Sequence, residues 1–206
     1  MADFNREAYY AESLSTSSNT STTLQTKVSL AFTPKPDSEY FILSSGLFGL
    51  NNNSVRFAVK IVNGATEYAF HDYESGSGSE IHPNFSVSRA SFGASPGQQT
   101  FQYQFGLGTA GTATATLSDA RLIAFSRHEH DGYAEALSTT GASTTTYINK
   151  ISLSLEVPAD GYYLCVFSGE TDTFSAPHST GIRLTVDGTA QFTGYQANGD
   201  SASWSQ

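Results

Sequence analysis

Arg127-His128-Glu129-His130-Asp131 is the densest group of potential metal ligands in the sequence. On an extended chain His128 and His130 project to one face, and an H-x-H pair of imidazoles binds zinc or a related ion. No second ligand cluster accompanies them, and the segment falls where solvated polar residues belong, after the last expected strand of the first half. His128 and His130 are therefore the candidate ligands if a metal binds, but neither a metal nor any other cofactor is expected. Gly106-Leu107-Gly108-Thr109-Ala110-Gly111 matches the dinucleotide fingerprint G-x-G-x-x-G and follows an expected strand. That chemistry needs a helix N-terminus to hold the pyrophosphate, whereas Thr112-Ala113-Thr114-Ala115-Thr116 alternates as a strand, so the glycines read as a hairpin loop. There is no G-x-S-x-G nucleophile elbow. The carboxylate pairs Glu12/Glu135 and Asp37/Asp160 are explained by duplication and turn chemistry rather than by glycosidase work. The expectation is a protein that is not an enzyme.

Aromatic residues offer binding chemistry instead. Tyr68, Phe70, Tyr73, Phe192 and Tyr195 follow two hairpin signals, and tyrosines on a sheet face can stack on sugar rings or fill a partner's pocket. Phe70 and Phe192 read as core. Trp204, the one tryptophan, lies in the polar stretch Ser201–Gln206 and would anchor a partner contact. The candidate binding residues, for assembly or glycan, are Tyr68, Tyr73, Tyr195 and Trp204.

Composition sets limits on partners. At 206 residues, 38% apolar and 13% aromatic, the chain can bury a real core. A net charge of −9 disfavours nucleic acid, whose sequence-independent binding rests on Lys and Arg. No run of eighteen apolar residues or long basic amphipathic helix is present, so membrane insertion is not expected. Met1–Arg6 lacks the basic start and apolar core of a secretory signal, and the N-x-[ST] matches at Asn19, Asn52 and Asn84 then lose their meaning as glycosylation sites. The single cysteine, Cys165, reads as a small core hydrophobe, and no disulfide framework exists.

The elements that must position these residues are strands, and they come twice. Tyr10-Ala11-Glu12-Ser13-Leu14-Ser15-Thr16 returns 123 residues on as Tyr133-Ala134-Glu135-Ala136-Leu137-Ser138-Thr139, and the same displacement links Lys27/Lys150, Leu30/Leu153 and Gly46/Gly169. Leu24, Val28, Leu30 and Phe32 alternate with polar residues, as do Tyr147, Ile151, Leu153 and Leu155, which predicts half-buried strands. Tyr40–Leu43 and Tyr163–Val166 are continuous apolar runs, expected as strands buried on both faces. Further strands are expected at Val55–Ile61, Thr66–Phe70, Phe85–Val87, Phe101–Phe105, Thr112–Leu117 and Ala120–Phe125, and in the second half at Ile182–Val186 and Thr189–Tyr195. Asn63-Gly64 and Asp187-Gly188 are type I′ hairpin signals. They stand 124 apart while the apolar phase between them suggests 125, which predicts a bulge in one copy. The second copy has no counterpart of Asn84–His130.

The lead into Thr22–Leu30, the run Tyr40–Gly46, the turn at Asn63-Gly64 and the closing Ala120-Arg121-Leu122-Ile123-Ala124-Phe125 resemble jelly-roll surface domains in structural proteins of tailed bacteriophages. The resemblance implies an all-β, jelly-roll-like antiparallel sandwich for the first lobe; the repeat adds a half-length second copy of the same unit, which departs from the family's pattern. The repeat and the composition divide the chain into an extended N-terminal arm (1–20), a first sandwich lobe (21–130) and a linker with a partial second lobe (131–206). The resemblance further implies a virion structural protein, either capsid-decorating or associated with a tail or fibre. Its partners would be other copies of itself and neighbouring virion proteins, it would be made in the host cytoplasm, and it would work by assembly. The alternative is a carbohydrate-binding or adhesive sandwich holding surface glycans.

Overall fold

The computed structural model describes residues 7–52, 55–74, 80–128, 131–136, 140, 147–155, 165–171, 179–197 and 202–205. Of these, 74, 80–82, 168–171, 179–180, 192, 194–197 and 202–205 are described by their backbone. Antiparallel strands and turns account for the regular structure, and no helix occurs among the described residues. In particular, none is long and apolar enough to cross a membrane.

The first nine strands are β1 (Ala8–Ser13), β2 (Ser17–Asn19), β3 (Gln25–Phe32), β4 (Glu39–Leu50), β5 (Arg56–Asn63), β6 (Thr66–Glu74), β7 (Glu80–Ser91), β8 (Gln99–Leu107) and β9 (Ala115–Ser126). They form two sheets. One runs β1-β9-β4-β7, with β2 continuing β1 along β9; the other runs β3-β8-β5-β6. Apart from the β5–β6 hairpin, and with β1 and β2 taken as one interrupted strand, each connection passes from one sheet to the other. Eight strand positions wrapped in this order are a jelly roll.

Alternation drives the closure. Inward positions of β3 (Val28, Leu30, Phe32), β5 (Phe57, Val59, Ile61) and β8 (Phe101, Tyr103, Phe105) are all buried, while Ser29, Gln102 and Gln104 face out. Aromatic rings join the sheets: Phe48 of β4 stacks on Phe57 of β5 at 4.5 Å, and Tyr9 of β1 stacks on Phe32 of β3 at 4.5 Å. Stacking of this kind adds about 0.5–1.5 kcal/mol per pair beyond area burial.

Several expectations are corrected here. The supposed arm supplies β1 and β2, because Tyr9 and Ala11 pack on the core and need β9 to satisfy their backbone. The segments Thr112–Leu117 and Ala120–Phe125 are one strand, β9, bent where Asp119 takes φ 49° and the register against β4 shifts between Ser45 and Leu47. Gly46 sits at that bend, where a Cβ would meet Leu117 Cδ1 at 2.9 Å and the Ser118 carbonyl at 3.3 Å. A second bulge leaves Lys27 unpaired between Thr26 and Val28 and buries it. Its ammonium donates to Ser15 O and to Ser17 Oγ at 2.9 Å, pinning the break between β1 and β2. The glycine-rich segment is a crossover between sheets and not a hairpin. Gly106 lies within β8 because a Cβ there would come within 2.9 Å of Ser21 O and 2.8 Å of Asn19 Nδ2.

Beyond the sandwich lie β10 (Ser168–Thr171), β11 (Ser179–Val186), β12 (Thr189–Ala197) and β13 (Ala202–Ser205), paired β10–β13 and β11–β12. The β11–β12 hairpin is the β5–β6 hairpin over again, displaced by 123 at both strand ends. Ile61 pairs with Ala69 and Val62 with Glu67, leaving Tyr68 extra; Leu184 pairs with Phe192 and Thr185 with Ala190, leaving Gln191 extra. Both copies therefore carry the bulge, and the slip inferred from the dipeptides does not occur: Val59 and Ile61 answer to Ile182 and Leu184. The loops are Gly64-Ala65, with positive φ at Gly64 alone as in a type II′ turn, and Asp187-Gly188, with positive φ at both as in type I′. In contrast, the strand expected over Tyr147–Leu155 joins no sheet, and Cys165 is exposed rather than core. Residues 156–164, which hold the first half of the second apolar run (Tyr163 and Leu164), lie outside the described residues.

Candidate assembly surface

The tyrosines singled out by sequence do not form a common platform. Tyr73 is 4% exposed: its hydroxyl accepts from Asn84 Nδ2, and Asn84 Oδ1 accepts from the Tyr103 hydroxyl at 2.7 Å. This buried network satisfies polar groups that would otherwise be costly inside an apolar core. It also removes Asn84 from any glycosylation, as burial removes Asn19, whose Nδ2 donates to Thr23 O and Phe105 O at 3.0 Å each. Tyr68 is half-buried with its ring 5.2 Å from Phe101, and burial raises its pKa. Phe70, expected in the core, is 49% exposed because the bulge at Tyr68 sets it on the outer face of β6. Tyr195 lies on β12 and Trp204 on β13, paired with Gly169; their side chains are outside the described residues.

His130 is outside them too. The His128 N–H donates to Asp131 Oδ2 at 2.8 Å, and Arg127 is tied to Glu39 by its guanidinium and by its backbone N–H, which donates to Glu39 O at 2.8 Å. No cluster of three or more ligating side chains occurs among the described residues.

A surface that the sequence reading missed lies on the outer face of the β1-β9-β4-β7 sheet. Strand register sets Tyr10, Ile123, Leu43 and Val87 in one row across four strands. The next row is Ala8, Phe125, Phe41 and Arg89, and the row on the other side is Glu12, Arg121, Ser45 and Phe85. Tyr10 is 52% exposed, and Ile123, Leu43, Val87, Phe125 and Phe85 are half-buried. The signal for this face was present in the unbroken run Tyr40–Leu43, whose odd positions had to lie outside the sandwich.

One corner is already covered by the chain itself. Tyr133, the counterpart of Tyr10, lies 5.9 Å from the Phe41 ring and beneath the Arg89 guanidinium, 5.3 Å from the ring centroid. Its hydroxyl donates to Glu135 at 2.8 Å, and burial with that carboxylate pushes its pKa up to about 12. Phe41 is buried on its outer side as a result, as its apolar run predicts.

Ion pairs flank the apolar rows. Arg121 stands 3.7 Å from Glu12, and Arg89 stands 3.5 Å from Glu39. The hydrogen bond from Arg127 holds the Glu39 carboxyl below its ordinary range, with Ser91 and Arg89 adding to the effect. An apolar centre with a charged, solvated rim is the anatomy of a protein–protein contact.

A second feature is an open cleft of about 330 Å³ at the loop end of the sandwich, lined by Thr20, Asn51, Gly111, Thr112, Ala113 and Thr114. Asn51 and Thr114 bond each other there: the Thr114 N–H donates to Asn51 Oδ1 at 2.7 Å, and the Asn51 N–H donates to Thr114 O at 3.3 Å.

No protein-family model matches this chain, and no curated protein matches it. Solved structures similar to parts of it include the following two. The CBM36-1 domain of a multidomain xylanase from the hindgut metagenome of Trinervitermes trinervoides aligns over 57% of this chain and 96% of that one, at 14% identity and a TM-score of 0.32. A chain of infectious bursal disease virus, Gx strain, aligns over 59% of this chain and 38% of that one, at 11% identity and a TM-score of 0.28.

Proposed function

We propose that this chain is a virion structural subunit, a capsid-decorating or tail- or fibre-associated protein of a bacteriophage, which acts by holding neighbours rather than by turnover. The observation that carries this reading is the apolar row Tyr10–Ile123–Leu43–Val87 on an outer sheet face with an ion-paired rim. Tyr133 already uses one corner of that face as a packing surface, and Tyr10, at the end of the row, is 52% exposed. The phage-like residue pattern and the low charge content support the same reading. The test is a mass spectrum of purified particles together with a Tyr10→Glu/Leu47→Glu variant, since Leu47 is 39% exposed on the same face. The chain should be present in particles, and the variant should fold but fail to incorporate.

The second reading, a carbohydrate-binding or adhesive module, is favoured by the cleft of hydroxyl and amide side chains at the loop end. It does not have Tyr73 at its disposal. Glycan-array binding by the isolated chain, lost on Asn51→Ala, would make it the better reading.

A further inference from the structure

The edge strands of the sandwich are β1, β3, β6 and β7. Three of these edges are interrupted: β1 breaks off before β2, β3 bulges at Lys27, and β6 bulges at Tyr68. Short and bulged edges resist the addition of another strand. β7 has no such interruption and keeps one register against β4 from Glu80 to Ser91. Among the described residues no strand pairs with its other side; β13 passes within 8 Å of β7, Cα to Cα, but pairs with β10.

Hydrogen-bonding phase fixes which groups that side presents. The Phe92 N–H donates to Ser38 O at 2.9 Å, whereas Glu39 O turns to the β9 side and accepts from the Arg127 N–H at 2.8 Å. Facing residues in an antiparallel ladder exchange both backbone bonds or none, in alternation. Even-numbered residues from Asn84 to Phe92 therefore bond β4, and Phe85, Val87, Arg89 and Ser91 turn their N–H and C=O groups away from it. Pro83 shares the outward phase, so its missing N–H takes no bond from the sheet. An unbroken edge with its backbone groups in this state is a template for strand addition.

The order of residues along β7 selects the partner. In antiparallel register about Val87, Val87 falls opposite itself, and Phe85 falls opposite Arg89, whose guanidinium is already set by Glu39 and the Tyr133 ring. A cation beside an aromatic ring is a favourable neighbour. Pro83 falls at the two ends, where its carbonyl accepts from the Ser91 N–H. Centring on Arg89 instead would set like charges directly opposite, which destabilises a pair, and centring on Ser88 would set Val87 against Arg89. The Val87 register also joins the apolar row Tyr10–Ile123–Leu43–Val87 end to end with its own copy in one continuous sheet. A strand complementary to itself meets the requirement of a two-fold contact, in which the same patch serves both subunits.

We propose that β7 pairs antiparallel with β7 of a second copy of this chain, centred on Val87. The inference rests on the assembly reading above and names its partner.

The test uses the full chain and analytical ultracentrifugation at micromolar concentration. The wild type should be a dimer. Val87→Pro removes an outward N–H in the phase of the native Pro83, takes no bond from β4, and should weaken dimerisation by about tenfold or more. Val87→Thr keeps the N–H and the branched side chain and should dimerise as the wild type does. In a Cys165→Ser background, Val87→Cys should form an inter-chain disulfide on mild oxidation, since facing hydrogen-bonded residues have Cα atoms about 5.5 Å apart, within disulfide reach. Absence of that cross-link overturns the pairing whatever the proline variant does. A wild-type chain that is monomeric yet present in particles would also overturn the pairing and leave the assembly reading standing. A chain that stays monomeric and enters no particle would overturn both.

Discussion

Leu30 and Leu153 occupy equivalent places in a repeated sequence, yet one is sealed in a sandwich and the other is 51% exposed, with its side chain against Gly132. Leu30→Ala should therefore cost about 2–5 kcal/mol, the usual penalty for a large-to-small change in a packed core. Leu153→Ala should leave the sandwich's denaturation midpoint where a Ser29→Ala control leaves it. Both positions were legible as the apolar phase of a strand. Their burial was not, because alternation says which face a side chain takes and not whether another sheet covers that face. Tyr73 shows the reverse case: its hydroxyl suggested a surface, but a single buried amide, Asn84, satisfies it inside. Tyr40 carries a testable pH dependence. Burial, with the Glu7 carboxylate accepting from its hydroxyl at 2.7 Å, raises its pKa to about 12. A folded-state pKa above the unfolded value near 10 means stability that is intact below about pH 10 and is lost as pH rises through 12. Thermal midpoints measured from pH 9 to 12 should fall, and Tyr40→Phe should flatten that fall.

At the scale of elements, most strands could be read and their joints could not. β3, β5, β6 and β8 stand close to their expected places because period-two alternation survives in a sheet with one polar face. β9 was read as two strands because the polar pair Ser118-Asp119 interrupts the apolar alternation; in the sheet it is a bend, accommodated by the left-handed Asp119 and by Gly46 opposite. The hairpins were recognised from Asn-Gly and Asp-Gly, but a dipeptide marks a turn without fixing which two residues form its tip. Matching the dipeptides created an apparent slip that the identical bulges at Tyr68 and Gln191 remove. Gly64, with φ 58°, holds the first tip. Gly64→Ala should cost about 1–2 kcal/mol from the left-handed conformation alone, because no atom lies within 4 Å of the added methyl. Chemical denaturation measures this directly.

For the molecule as a whole, the sandwich and the region after it should differ in stability. The β5–β6 hairpin is flanked by β8 and packed on the other sheet, whereas its twin β11–β12 stands as a two-stranded sheet. Isolated hairpins are marginal in water, and local opening follows contact density. In hydrogen exchange, amides of Ile182–Tyr195 should exchange at least about a hundredfold faster than those of Phe101–Phe105. Equal protection in the two hairpins would contradict this picture. The jelly-roll class was legible from the number and alternation of the strands in the first lobe. The pairing of β1 with β9 was not, since partners more than a hundred residues apart leave no local trace.

The clasp between Lys27 and Ser17 has a counterpart in Lys150, whose ammonium donates to Thr140 Oγ1 at 2.8 Å, ten residues away in both cases. Among the described residues no strand pairs with residues 147–155, so there the clasp forms without a finished sheet around it. During synthesis β1 and β2 emerge long before β9 exists to receive them, and closing so long a loop is the slow step of such topologies. A ten-residue contact can form at once. The lysine then acts as a placeholder in time, keeping the first strands beside β3 until the last strand arrives between the sheet's edge and its centre.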